Sequence, residues 1–150
     1  MYLRWETPSD LLADVARSEV LKLGVPDTGS VREDLVDLCS QVLDDYLTAH
    51  GLAVVLRLNV EALFFPELLD RSEDALFEAG RSTMVIVERA VERGELPPGT
   101  SAGLILAATA GAVLSLVTTT PAGARARLRT RGRAWIERVV DLVLAGARST

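Results

Sequence analysis

Apolar residues along this chain recur at helical spacing, and caps, prolines and glycines divide them into about six segments. Thr7-Pro8 reads as an N-cap followed by proline at the first helical position, with Asp10 in the first turn. That helix carries Leu11, Leu12, Val15 and Val20 and ends near Gly24. The turn Pro26-Asp27-Thr28-Gly29 leads into Ser30-Val31-Arg32-Glu33, the pattern of a capping box. A helix then runs to about His50, with Val31, Leu35, Leu38, Val42 and Tyr46 on one face. Gly51 interrupts it, and a short apolar helix follows from Leu52 to about Phe64. Pro66 opens the longest helix, where Leu69, Leu76, Thr83 and Ala90 recur every seven residues before Gly94 offers a C-cap. Thr100 or Ser101 caps an uncharged helix, and Thr120-Pro121 repeats the cap-plus-proline signal for a last helix ending around Gly146. Strict alternation occurs only in the arginines from 125 to 133, whose interleaved Ala, Thr and Gly are poor strand formers. The pattern predicts an all-α fold, an antiparallel bundle of about six helices.

The last two helices read as built for a partner. Gly103, Ala107, Gly111 and Ser115 fall at steps of four and form a ridge of small side chains. Such a ridge lets two backbones approach closely and gain dispersion contacts. Leu128, Gly132, Trp135, Val139 and Leu142 follow a three-four spacing, which gives a seam facing another helix. Arg125, Arg129 and Arg133 flank one side of that seam, and Arg127, Arg131 and Arg138 the other. The same pair of helices suits a hairpin inside a monomeric bundle. A symmetric homodimer, with a four-helix interface from two such hairpins, buries the uncharged face of both copies and is the preferred expectation.

Composition narrows the function. The 150 residues are 49% hydrophobic and 25% charged, the balance of one globular domain. A net charge of −5 argues against a free-standing nucleic-acid binder, so the arginines read as the rim of a helix contact. Cys39 is the single cysteine and reads as core filler. The start, Met1-Tyr2-Leu3-Arg4-Trp5, has no apolar leader, which makes the cytoplasm the expected compartment. The uncharged stretch from Pro97 to Ala124 is tested as a membrane span and set aside, because its firmly apolar part, Leu104 to Val117, is short and rich in Ala and Gly.

No constellation for catalysis assembles. His50 is the only histidine and Lys22 the only lysine, both near predicted helix ends, and no cofactor or metal site is expected. A ligand cavity is more plausible. Asn59 falls on the apolar side of the short helix as a candidate polar anchor, with Tyr46, Phe64, Phe65, Thr83, Met84 and Val87 around it. Ordinary core packing explains the same residues equally well.

The residues now in hand resemble a known family. Tyr2-Leu3-Arg4-Trp5, followed by a cap and Leu11-Leu12, is similar to the end of the recognition helix in TetR-type repressors. The stretch from Pro26 to Leu35 resembles the loop-helix opening in one branch of that family, and Arg89 to Pro97 the end of its long regulatory helix. The resemblance implies a homodimer whose helical body binds an apolar or amphipathic small-molecule effector and dimerises through its last two helices. A helix-turn-helix head would read operator DNA, and effector binding would lower operator affinity. On this basis residues 1–6 are expected to be a remnant of the recognition helix, with Tyr2 matching the tyrosine that touches the DNA backbone. Residues 7–150 form the ligand-binding and dimerisation domain, and operator DNA is reached only through a missing N-terminal head. Pro8 departs from the family, which carries a lysine at about that point. The alternative is a headless ligand carrier, or a partner that forms heterodimers and titrates a full-length repressor.

Overall fold

The computed structural model describes residues 23–48, 50–64 and 81–149. The helix expected from Thr7, Tyr2 with residues 1–6, Phe65, and the first half of the longest helix lie outside the described residues. The described part is all helical: α1 (Val31–Tyr46), α2 (Gly51–Phe64), α3 (residues 81–92), α4 (Ala102–Thr119) and α5 (Leu128–Arg148). A short 3₁₀ stretch, Ala122–Arg127, precedes α5.

Helix α1 is the centre of the bundle, packing on α4 and α5, which also pack on each other. Its Val31, Leu35 and Leu38 are buried as their spacing predicts, but so are Val36, Cys39 and Leu43. A helix enclosed by several neighbours has core on more than one side. Stripes at steps of four close over it: Ile105, Thr109, Val113 and Val117 from α4, and Gly132, Ile136, Val140 and Leu144 from α5. Ile86, Val87 and Ala90 of α3 complete the core. Burial raises the pKa of the Cys39 thiol, outweighing its hydrogen bond with Thr109, which suits core filler.

Local chemistry sets the helix ends. Gly94 has φ +74°, and the N–H groups of Gly94 and Glu95 bond the carbonyls of Val91 and Ala90 at 3.0 and 2.8 Å. This is the Schellman arrangement, in which the left-handed residue favours glycine. The Ser101 hydroxyl accepts from the Leu104 N–H and caps α4. The expected capping box at Ser30 does not form, because the Ser30 side chain makes no cap bond. Glu95 instead reaches across from the turn after α3 and accepts the Val31 N–H at 2.9 Å. Helix α1 stops at Tyr46, short of His50, and the Thr48 hydroxyl bonds the Asp45 carbonyl. His50 therefore stands just before α2, not at the carbonyl end of α1. Gly51 sits so close to the Asp45 carbonyl that a Cβ would lie 2.1 Å from the oxygen.

A polar clasp joins the loop before α1 to the turn after α3. Asp34, fully buried, accepts from the Thr28 N–H and hydroxyl, both at 2.7 Å. Its second oxygen lies 3.6 Å from the Arg93 guanidinium. Arg93 also pairs with Glu95, and Arg89 donates to the Pro26 carbonyl at 3.3 Å. Outside the core, Arg32 of α1 forks onto Asp141 of α5 at 2.6 and 3.0 Å. Arg133 of α5 bonds Asp37 of α1 at 2.8 Å, and Arg129 donates to the Leu47 carbonyl at 3.0 Å.

Two outcomes follow from this packing. A Cβ at Gly132 would stand 2.3 Å from Leu43 Cδ2. Gly132→Ala, which intrinsic propensity favours by about 1 kcal/mol, is therefore expected to destabilise by roughly 1–2 kcal/mol in urea unfolding. Leu43→Ala should remove that penalty in a double-mutant cycle. Burial alone would raise the Glu95 pKa, but the Val31 N–H and Arg93 outweigh it and hold Glu95 below its ordinary 4.5. A depressed pKa contributes stability above the unfolded value, and that stability is lost as pH falls through the folded one. Glu95→Gln should therefore lower the urea midpoint at pH 7, with the gap to wild type shrinking below about pH 4.5.

Candidate functional site

Helix α4 has two sides of opposite character. Its inner stripe is core, while Gly103, Ala107, Gly111 and Ser115 all face outward. Nothing lies within 4 Å of where a Cβ at Gly111 would stand. Leu104, on the same side, is 70% exposed. The segment Ala102–Thr119 is long and apolar enough to cross a membrane by length and composition, with 22% of it buried within the fold. Length and composition alone do not make it a membrane span, because the core helix of a bundle passes the same test.

The seam expected on α5 divides in the structure. Gly132 turns inward against Leu43, whereas Leu128, Trp135 and Val139 are half-buried and Leu142 is 75% exposed. At about 100° per residue these four share a stripe beside the buried one. The flanking arginines divide too. Arg125, Arg129 and Arg133 bond the chain itself, Arg125 through the Thr120 carbonyl. Arg127, Arg131 and Arg138 are exposed and have no partner among the described residues.

A second feature lies along α3. Thr83 is 1% exposed, and its hydroxyl has no hydrogen-bond partner among the described residues. Ser82 beside it is buried as well. Met84, Val87 and Val91 line an open groove of about 390 Å³ that continues to Gly99, Thr100 and Ala102 at the start of α4, with Glu88 and Glu92 along it. Thr83, Met84 and Val87, predicted as ligand contacts, thus share one stretch of helix, with the latter two on the groove.

The other predicted contacts are not gathered there. Tyr46 packs half-buried against the core, where burial and then Asp45 raise its phenol pKa. Asn59 is exposed, and its amide donates to the Val55 carbonyl one turn back at 2.8 Å. Phe64 is 72% exposed. Among the described residues no group of three or more His, Cys, Asp or Glu is placed to hold a metal ion. Sequence reasoning missed the buried clasp at Asp34, although both of its halves had been singled out as motifs.

The described residues form an all-helical body with an outward ridge of small residues on α4. The match to known proteins makes this specific. Residues 25–143 match the family model described as tetracyclin repressor-like, C-terminal domain, and the chain belongs to that family. The HTH-type transcriptional regulator AqdR of Rhodococcus erythropolis is 29% identical over 119 residues, 79% of this chain and 57% of that protein. The chain thus spans little more than half the length of that relative. No solved structure matches. The family is one of transcriptional regulators, and the chain carries a TetR-like C-terminal regulatory domain.

Proposed function

We propose that this domain dimerises through α4 and α5 and senses an apolar small molecule, which lowers the operator affinity of the regulator it serves in the cytoplasm. The observation that carries this reading is the bare ridge Gly103, Ala107, Gly111 and Ser115. A helix this apolar with most of its surface uncovered requires a partner surface. Small side chains suit a second copy, because two-fold pairing brings like ridges to close backbone contact. Leu128, Trp135, Val139 and Leu142 extend the contact on α5, and Arg127, Arg131 and Arg138 form its charged rim. Gly132 serves this interface indirectly, by seating α5 on α1.

Effector sensing is supported by α3. The groove beside it, of about 390 Å³ and walled by Met84, Val87 and Val91, falls within the size range of small-molecule sites. Thr83, Met84 and Val87 form the proposed contact set, and α3 leads through a short turn into α4, so occupancy at one is felt at the other. The regulator in the match is named for a helix-turn-helix, and operator contact is assigned to such a segment.

Gly111→Leu tests the interface. Open space around Gly111 means that the single chain tolerates the larger residue, and helix propensity favours it. Between two copies it overfills the contact, at a cost of roughly 1–3 kcal/mol. Sedimentation should show wild type as twice the 16.1 kDa chain and the variant dissociating at lower dilution. A wild-type monomer, or an equally tight variant dimer, refutes the pairing.

A further inference from the structure

Resting on the dimerisation proposed above, we infer that Glu88 and Glu92 of α3 receive Arg127 and Arg131 of a second copy, so that the two α4 helices cross antiparallel. Helix α4 carries no charge, and the segments on either side of it carry opposite ones. No acidic residue occurs from Leu96 to Ile136, while arginines alternate from Arg125 to Arg133 just after α4. Ahead of α4, Glu88 and Glu92 are exposed and lie along the groove that reaches Thr100 and Ala102. They stand one helical turn apart, a spacing at which like charges repel and a countercharge brings relief. Neither pairs with a cation among the described residues. The arginines at that end are engaged instead, Arg89 with Asp27, Arg93 with Glu95, and Arg148 with the Glu95 carbonyl. Arg127 and Arg131 are exposed and have no partner among the described residues. Arg131 falls between Leu128 and Trp135 on the stripe that the pairing uses.

Within one chain these two charged ends cannot neutralise each other. Helix α4 has 18 residues, so they stand roughly 27 Å apart, about three Debye lengths at physiological salt. A two-fold axis along α4 would set each end beside its own kind, carboxylates by carboxylates and arginines by arginines. An axis across α4 sets Gly103 opposite the partner's Ser115 and Ala107 opposite the partner's Gly111, with each acidic end beside a basic one. The antiparallel crossing also opposes the two helix dipoles.

Charge swapping tests this in the 150-residue chain. One variant carries Glu88→Arg and Glu92→Arg, the other Arg127→Glu and Arg131→Glu, all at exposed positions. Each variant alone sets like charges at both contacts and should dimerise roughly tenfold more weakly than wild type in sedimentation. Their equal mixture restores opposite charges at both contacts and should form a heterodimer as tight as the wild-type dimer. Variant homodimers as tight as wild type, or a heterodimer no tighter than they are, overturn the ion pairs. Cross-linking reads the direction of α4. Cys39 is buried, so thiols introduced by Gly103→Cys and Ser115→Cys are the ones that react. The two variants mixed should form a disulfide between chains, and Gly103→Cys alone should not. A disulfide between two Gly103→Cys chains, or none in the mixture, overturns the antiparallel crossing. A wild-type chain that stays monomeric overturns the dimerisation reading itself, whereas a wild-type dimer without charge preference overturns this inference alone.

Discussion

The described structure depends on a carboxylate that water does not reach. Asp34 is buried one turn into α1, and burying a charge is unfavourable unless hydrogen bonds and a countercharge offset it. Here the Thr28 N–H and hydroxyl satisfy one oxygen, while the other accepts no hydrogen bond from the described residues and has the Arg93 guanidinium 3.6 Å away. Satisfying Asp34 holds the loop 26–30 against α1, and Glu95 does the same for the turn after α3 by taking the Val31 N–H. The two halves are the segments Pro26–Leu35 and Arg89–Pro97, which carry the resemblance to the family. What looks like two separate signatures along the chain is one contact in space. Its residue types are demanded by hydrogen-bond bookkeeping between α1 and α3, not by a ligand.

With α1 held in this way, the charge on α5 has a division of labour. Arg129 and Arg133 reach α1, one to the carbonyl end of the helix and one to Asp37, and Arg32 returns the favour to Asp141. These pairs lie at the surface, so each contributes little alone, but they fix which face of α5 turns inward. The inward face has to include Gly132, because Leu43 occupies the space of a side chain there. The stripe from Leu128 to Leu142 is thereby left beside the core, and the proposed pairing draws on it and on the outward ridge of α4.

Helix boundaries and core faces were largely legible, because caps, breakers and spacing are local. Gly94, Ser101 and the stripes of α4 and α5 behave as their neighbours in sequence require. The burial of the candidate ligand residues was legible only in part. Thr83 and Val87 are buried as expected, but Asn59 satisfies itself on its own helix and leaves its amide in solvent. Spacing places a residue on a face; it does not say whether the face is covered. The box at Ser30 failed for a similar reason, since the Ser30 N–H meets the Thr28 hydroxyl and the Glu33 carboxylate pairs with Arg32 and with Arg133 of α5.

The sequence alone determined that this is an all-helical body, where most of its helices start and stop, and which positions form a small ridge and an apolar seam. These follow from backbone capping and the 3.6-residue repeat, which act within a few residues of chain. Only the tertiary structure decided that the ridge faces outward, that Gly132 belongs to the core, and that Arg125, Arg129 and Arg133 find partners within the chain while Arg127, Arg131 and Arg138 have none among the described residues. Those outcomes depend on which surface is removed from water and which hydrogen-bonding groups meet there, and both are set by segments far apart in sequence.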